Sequence, residues 1–205
     1  MQGTESEKII PIMDKRILKT KEKLQSALRI LLETKDVSDI TVSSLCEVAD
    51  INRSTFYVYY SNIQDCFEEI TDSIMDEMRT LLQNNLNPSQ EGFLLVYFRT
   101  ARKYKNVFLA IHRQGVHNST IQKMVDINND WLHGELFIPT SSNRLEYNFI
   151  FSGFYGMVEM WLQNGCKESD EQLINILKKF YVVNRKISNT MYLIVEILYL
   201  NHAKM

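Results

Sequence analysis

An all-helical protein is predicted, on three observations. The chain has only 7 glycines and 3 prolines in 205 residues, few for a fold of many strands and tight turns. Its apolar residues recur at intervals of three and four over long stretches, which is the helical period. The breaks between those stretches carry helix caps such as Thr41, Ser61, Asn87 and Ser169. With 45% hydrophobic and 23% charged residues, the chain can bury a sizeable core, as one compact unit or as a small head plus a larger body.

Residues 1–13 are expected to be a flexible lead, polar with one short apolar patch and without a secretory signal. A first helix is predicted from Asp14 to Thr34, with Ile17, Leu24, Ala27, Leu28, Leu31 and Leu32 as its core face. Its start is basic, with Lys15, Arg16, Lys19, Lys21 and Lys23 and with Arg29 further on, against Asp14 and Glu22. The net charge of the chain is -2, so any electrostatic footprint for an anionic partner must be local, and this cluster reads equally as a solvated face or a phosphate contact.

Residues 41–62, TVSSLCEVADINRSTFYVYYSN, carry the most information. Thr41 is an N-cap for a helix whose buried face is Val42, Leu45, Cys46 and Ala49. Asp50 occupies the turn, and Asn52 caps a second helix through Arg53, Ser54, Thr55 and Phe56. So short a link forces a steep crossing, with Ile51 and Phe56 packing the second helix on the first. The pattern is that of a helix-turn-helix.

Beyond it, Ser61 and Gln64 are expected to form a capping box for a fourth helix with Phe67, Ile70, Ile74, Met78 and Leu81 inward. Asn87 and Pro88 then open a helix bearing Phe93, Leu94, Tyr97 and Phe98. Lys105–Gln114 is a short helix ended by Gly115, and Ser119 with Gln122 caps another that reaches Trp131 and Leu132 before Pro139. Residues 142–164 read as a helix apolar nearly all round, which is buried on all sides: one face in its own core and the other on a second subunit. Gly165 ends it, and Ser169 with Gln172 opens a partner helix carrying Leu173, Ile174, Ile176, Leu177 and Phe180. The expected dimer interface is Phe151, Phe154, Val158, Trp161, Leu173, Ile176, Leu177 and Phe180. Residues 184–205 are an additional helix or tail, too short an apolar run for a membrane span and with Glu196 at its centre.

No glycine-rich phosphate loop, HExxH or nucleophile elbow occurs, so an enzyme is not expected, and neither is a cofactor. His112, His117 and His133 read as surface or core histidines, and no metal site is expected. Cys46, Cys66 and Cys166 are reduced thiols of a cytoplasmic protein without a membrane partner, the first two at buried helical positions.

The phrase NRSTFYVYYSN, preceded by ITVSSLCEVADI, resembles the tetracycline-repressor-type (TetR) transcription regulators, over about residues 14 to 70. In that family a long first helix braces the helix-turn-helix, the recognition helix enters the major groove, and the rest of the chain dimerises and usually holds a small-molecule pocket. The resemblance implies a homodimeric repressor that binds double-stranded DNA and whose operator binding an effector modulates. It divides the chain into a DNA-binding head at 14–62 and a linker, effector and dimerisation body at 63–183. The recognition surface would comprise Thr41, Asn52, Arg53, Ser54, Thr55, Tyr57, Tyr59 and Tyr60, with Arg53 as its long cation for a guanine edge and Thr55 and the tyrosines suited to phosphates or thymine methyl groups. Tyr97, Tyr104, Phe108, Met124, Trp131 and Tyr155 are candidates for lining the effector cavity, the competing reading of each being ordinary core. Relatives within the family vary widely in effector, and some work with a partner protein.

Two departures from the family pattern stand out. Asp50 sits where glycine is common, and it tolerates positive φ better than most residues. Ile63 stands where a phosphate-binding lysine is frequent, and is expected to project from the first turn of the fourth helix without that contact, the competing reading being that it packs inward against Phe67 and Tyr59. The alternative reading is a helical protein-interaction regulator of the same fold with weak or lost DNA binding.

Overall fold

The computed structural model describes residues 12–84, 89–114, 123–124, 126–127, 130 and 144–179. Every element among the described residues is helical: α1 Ile12–Leu31, a 3-10 turn Val37–Asp39, α2 Val42–Ala49, α3 Arg53–Tyr59, α4 Ile63–Gln83, α5 Gln90–Lys103, α6 Lys105–Arg113, α7 Arg144–Gln163 and α8 over 170–179. No described helix is long and apolar enough to cross a membrane. Residues 1–11 of the expected lead, the Gly115, His117, Ser119, Trp131, His133 and Pro139 features, and everything from Phe180 onward lie outside the described residues, whereas Ile12 and Met13, expected in the lead, already belong to α1.

Local signals account for most helix ends. The first helix stops earlier than Thr34, because the Glu33 and Thr34 N–H groups bond to the carbonyls of Ile30 and Leu31 at 3.1 and 3.2 Å, a 3-10 tightening of the last turn. Ser89 caps α5, its Oγ accepting from the Gly92 N–H at 3.0 Å; the expected cap, Asn87, lies outside the described residues. Gly165, at φ 84, and Cys166, at φ 56, end α7 in a Schellman turn closed by Cys166 N–H to the Trp161 carbonyl at 2.9 Å. Ser169 and Gln172 form the expected box: the Ser169 N–H donates to Gln172 Oε1 at 2.8 Å, and the Gln172 N–H to Ser169 Oγ at 3.3 Å.

The described residues pack as two units, one from Met1–Thr80 with Tyr104–Ile127 and one from Leu81–Lys103 with Asn128–Met205. This is a division by packing, whereas the boundary between 62 and 63 expected from the family pattern is one of function. In the first unit α1 lies against α2 and α2 against α3. Leu24, Leu28, Leu45, Phe56, Phe67, Ile70 and Phe108 fill the interior. Along α4 the inward position is Leu82, and Leu81, expected there, is exposed. Burial pushes the Cys66 thiol up to about 12 and raises that of Cys46, so both act as small protonated core residues.

In the second unit Phe98 is enclosed by Tyr97, Phe154 and Trp161, with ring centroids at 5.7, 6.3 and 5.6 Å. The buried Asp170 carboxylate pairs with Arg102 at 2.9 Å and Arg99 at 3.4 Å. The Arg102 guanidinium also lies 5.2 Å from the Trp161 ring, a cation held by a carboxylate and an aromatic face together. This arrangement turns α7 inward along Tyr155, Val158, Trp161 and Leu162. Its opposite side shows Ser152, Gly153, Gly156 and Met160 to solvent. The interface expected from sequence is therefore corrected in part: Val158, Trp161, Leu173 and Leu177 are at most 5% exposed within one chain and have almost no area left for a second subunit. Phe154 and Ile176 are half-buried, and the side chain of Phe151 lies outside the described set.

Candidate nucleic-acid interface

The head presents one short helix by means of caps at both ends of α2. Thr41 Oγ1 accepts from the Ser44 N–H at 3.1 Å while the Thr41 N–H donates to Ser44 Oγ at 3.2 Å, a reciprocal box. At the far end Asp50 adopts φ 53 and ψ 55. The Ile51 N–H reaches back to the Cys46 carbonyl at 3.0 Å and the Asp50 N–H to that of Glu47 at 3.3 Å, which is a Schellman turn. Asp50 thus takes the left-handed conformation that glycine would take more easily.

Phe56 anchors α3 from below. It is fully buried, with Tyr57 edge-on at 5.4 Å and Tyr60 tilted at 5.7 Å. One inward residue in seven leaves the rest of α3 to solvent. Asn52, Arg53, Ser54 and Tyr57 are exposed, Thr55 and Tyr59 half-buried, and Thr41 is exposed at the start of α2. Asn52 caps α3 only through its backbone, its carbonyl accepting from Thr55 and Phe56 at 2.9 and 3.1 Å; its side chain makes no cap hydrogen bond. The side-chain cap expected of Asn52 is therefore absent.

Tyr60 does not belong to this surface. It is 4% exposed, its hydroxyl accepts from Gln25 Nε2 at 3.4 Å, and the Lys21 ammonium lies 5.4 Å from its ring. Burial raises its phenol well above the usual range. Lys21 is itself paired with Glu69 at 2.8 Å, so of the basic cluster the exposed members are Lys15, Arg16, Lys19 and Lys23. Sequence reading misses Val58, the most exposed large apolar side chain described, at 73%. The available signal is an apolar β-branched residue one turn beyond Ser54 on a polar helix.

The start of α4 differs from expectation by one residue. Asn62 Oδ1 accepts from the Asp65 N–H at 3.0 Å, and Asp65 Oδ2 accepts from the Ser61 N–H at 2.9 Å. Asn62 thus caps the helix in place of Ser61, and Asp65, in place of Gln64, reaches back to the Ser61 N–H. Ile63 then turns inward at 8% exposure. It lines a cleft of ≈ 580 Å³ with Val37, Ile40, Val42 and Ala110, whose rim holds the Arg113–Asp36 ion pair at 2.5 Å and a Gln114–Gln64 amide contact at 3.5 Å. The expectation that Ile63 projects from the helix is overturned. Ile63→Lys should lower stability by about 1–3 kcal/mol, because an ammonium replaces a buried alkyl group, and leave the salt dependence of DNA binding unchanged; a steeper slope of log affinity against log salt, about 0.9 for one added phosphate contact, would contradict this placement.

The family model TetR_C_8, described as "Transcriptional regulator C-terminal region", matches residues 89–181. An uncharacterized HTH-type transcriptional regulator, YxbF of Bacillus subtilis (strain 168), is 38% identical over 57 residues. These matches support a regulator of the TetR type: residues 89–181 are similar to the C-terminal region of such regulators, and a shorter stretch is similar to an HTH-type regulator. The YxbF match covers 27% of this chain and 15% of that relative, so the chain spans a small part of it. Among solved structures, a TetR transcriptional regulator from Streptococcus agalactiae 2603V superposes with a TM-score of 0.59 at 19% identity, covering 83% of this chain and 97% of that one. The dihydroxyacetone kinase operon activator DhaS gives 0.50 at 18%, covering 82% and 97%. These neighbours share the all-helical fold, and they are regulators, not enzymes.

The candidate effector residues fall into both packing units. Tyr104, Phe108 and Met124 belong to the first, and Tyr97 and Tyr155 to the second; Trp131 lies outside the described residues. Phe108 is fully enclosed, Tyr97, Met124 and Tyr155 are buried, and the half-buried Tyr104 donates its hydroxyl proton to Glu77 at 2.6 Å. None of them lines the cleft beside Ile63.

Proposed function

We propose that this regulator acts as a homodimeric DNA-binding repressor, two copies of α3 reading a near-palindromic operator in the major groove, with an effector acting through the body. The observation that carries the reading is the exposed row Asn52, Arg53, Ser54 and Tyr57, displayed on a helix held by a double-capped α2. Arg53 suits a bidentate contact to a guanine edge, and the hydroxyl groups suit phosphates. The functional division at residues 62 and 63 belongs to the same proposal. So does a dimer whose contact side on α7 is the exposed Gly153, Gly156 and Met160 side, where small residues let two backbones approach closely. Repression is favoured over activation on the family resemblance, and the activator DhaS marks the opposite sign as the competing outcome.

Gel-shift titration of the protein against DNA upstream of its own gene tests the reading. Arg53→Ala should weaken specific binding by about 1–3 kcal/mol and relax preference at one base pair per half-site; unchanged affinity and selectivity would remove Arg53 from base reading. Sedimentation at micromolar concentration should return twice the 24.1 kDa chain mass. The second reading, a protein-interaction regulator with weak DNA binding, is favoured by Ile63 being buried where a phosphate-binding cation would serve, and absence of any shifted band would select it.

A further inference from the structure

Val58 is accounted for neither by the fold nor by the polar contacts assigned to α3. At 73% exposure it exceeds every other large apolar residue described. A β-branched side chain loses rotamer freedom in a helix, so an exposed valine there slightly disfavours the helix that carries it. It gains free energy only when a partner removes it from water. Tyr57, 59% exposed, adjoins it in the chain, and Val48, 44% exposed, lies on α2; the remaining exposed large hydrophobics, Leu18, Ile30, Leu81 and Met160, are on other elements. Helical spacing places Val58 one turn beyond Ser54, as Tyr57 lies one turn beyond Arg53. The isopropyl group therefore stands among the exposed polar candidates.

We propose that Val58 is a specificity-determining residue whose isopropyl group packs on the C5-methyl of one thymine in each half-site. The inference rests on the DNA-binding reading above. In the major groove only thymine presents a methyl group, and it is read by apolar contact. Arg53 and Ser54 read by hydrogen bonds, and of the apolar groups on α3 Val58 is the more exposed, at 73% against 59% for the Tyr57 ring. Val58 thus offers discrimination of thymine from cytosine at one position by burial of alkyl surface.

The test begins with selection of bound duplexes from a random pool by the full-length protein, followed by replacement of each selected thymine in turn by uracil, which removes the methyl group alone. Wild-type protein should lose about fourfold in affinity at one thymine per half-site, corresponding to about 0.8 kcal/mol for one buried methyl. Val58→Ala, at a solvent-exposed position, should fold normally, lose about fourfold on thymine DNA, and show no further loss on uracil at that position. Equal uracil penalties in both proteins at every thymine would overturn the proposal, as would a Val58→Ala loss independent of base identity, which would place the side chain on sugar or phosphate. Failure to select any sequence is a separate outcome: it overturns the DNA-binding reading, and this inference with it.

Discussion

Replacing Phe56 by alanine is expected to destabilise the head by about 3–5 kcal/mol, the cost of emptying a large buried aromatic site. Phe56 is fully buried and is the one buried residue of α3, so its loss leaves that short helix without an inward anchor. Seven residues cannot hold helical structure alone in water. The melting temperature should fall by roughly 10 °C or more, and DNA binding should vanish with it. Tyr57→Ala provides the contrast, since Tyr57 is exposed: melting unchanged, affinity reduced. Thermal unfolding followed by circular dichroism checks both, and a Phe56→Ala loss under about 1 kcal/mol would mean that α3 is held by other contacts.

Acid should weaken the protein through His112. This side chain is 6% exposed, and burial lowers its imidazole from 6.5 to about 4. It lies in the last turn of α6, where the helix dipole favours the cation by about 0.3–1 kcal/mol; the cost of burying the charge is larger and prevails. The folded state therefore resists protonation that the unfolded chain accepts. The contribution is fully present above pH 6.5, is lost as pH falls from there toward 4, and amounts to roughly 3 kcal/mol in total. Urea unfolding of wild type and His112→Gln between pH 7 and 4 measures it: the difference between the two should change by about that amount across the window. Parallel curves would show that His112 is already charged at neutral pH or not buried.

The legible parts of this protein share a local origin. The Thr41 box, the left-handed Asp50 and the Ser169–Gln172 box each depend on residues within a few positions of one another, so the order of amino acids suffices to read them. The same holds for the inward row Phe67, Ile70, Ile74 and Met78, which a 3.6-residue period places on one side of α4. Errors of one residue arise where two local solutions compete: Ser61 with Gln64 against Asn62 with Asp65 at the start of α4, and Leu81 against Leu82 near its end.

By itself, then, the sequence determined the helical class, the helix-turn-helix with its caps, the resemblance to TetR-type regulators, and Arg53, Ser54 and Tyr57 as exposed polar candidates, because caps and periodicity are set by neighbours along the chain. Tertiary structure alone decided which apolar residues are spare. Tyr60 is withdrawn from the recognition surface by Gln25, 35 positions away in the chain, and Ile63 is turned away from solvent by packing into the cleft that Val37, Ile40 and Ala110 share. Trp161 is taken from the expected interface by Phe98 and Arg102. A side chain's hydrophobicity says that it will leave water, but the partner it leaves water for is a property of elements distant in sequence, and only their packing specifies it.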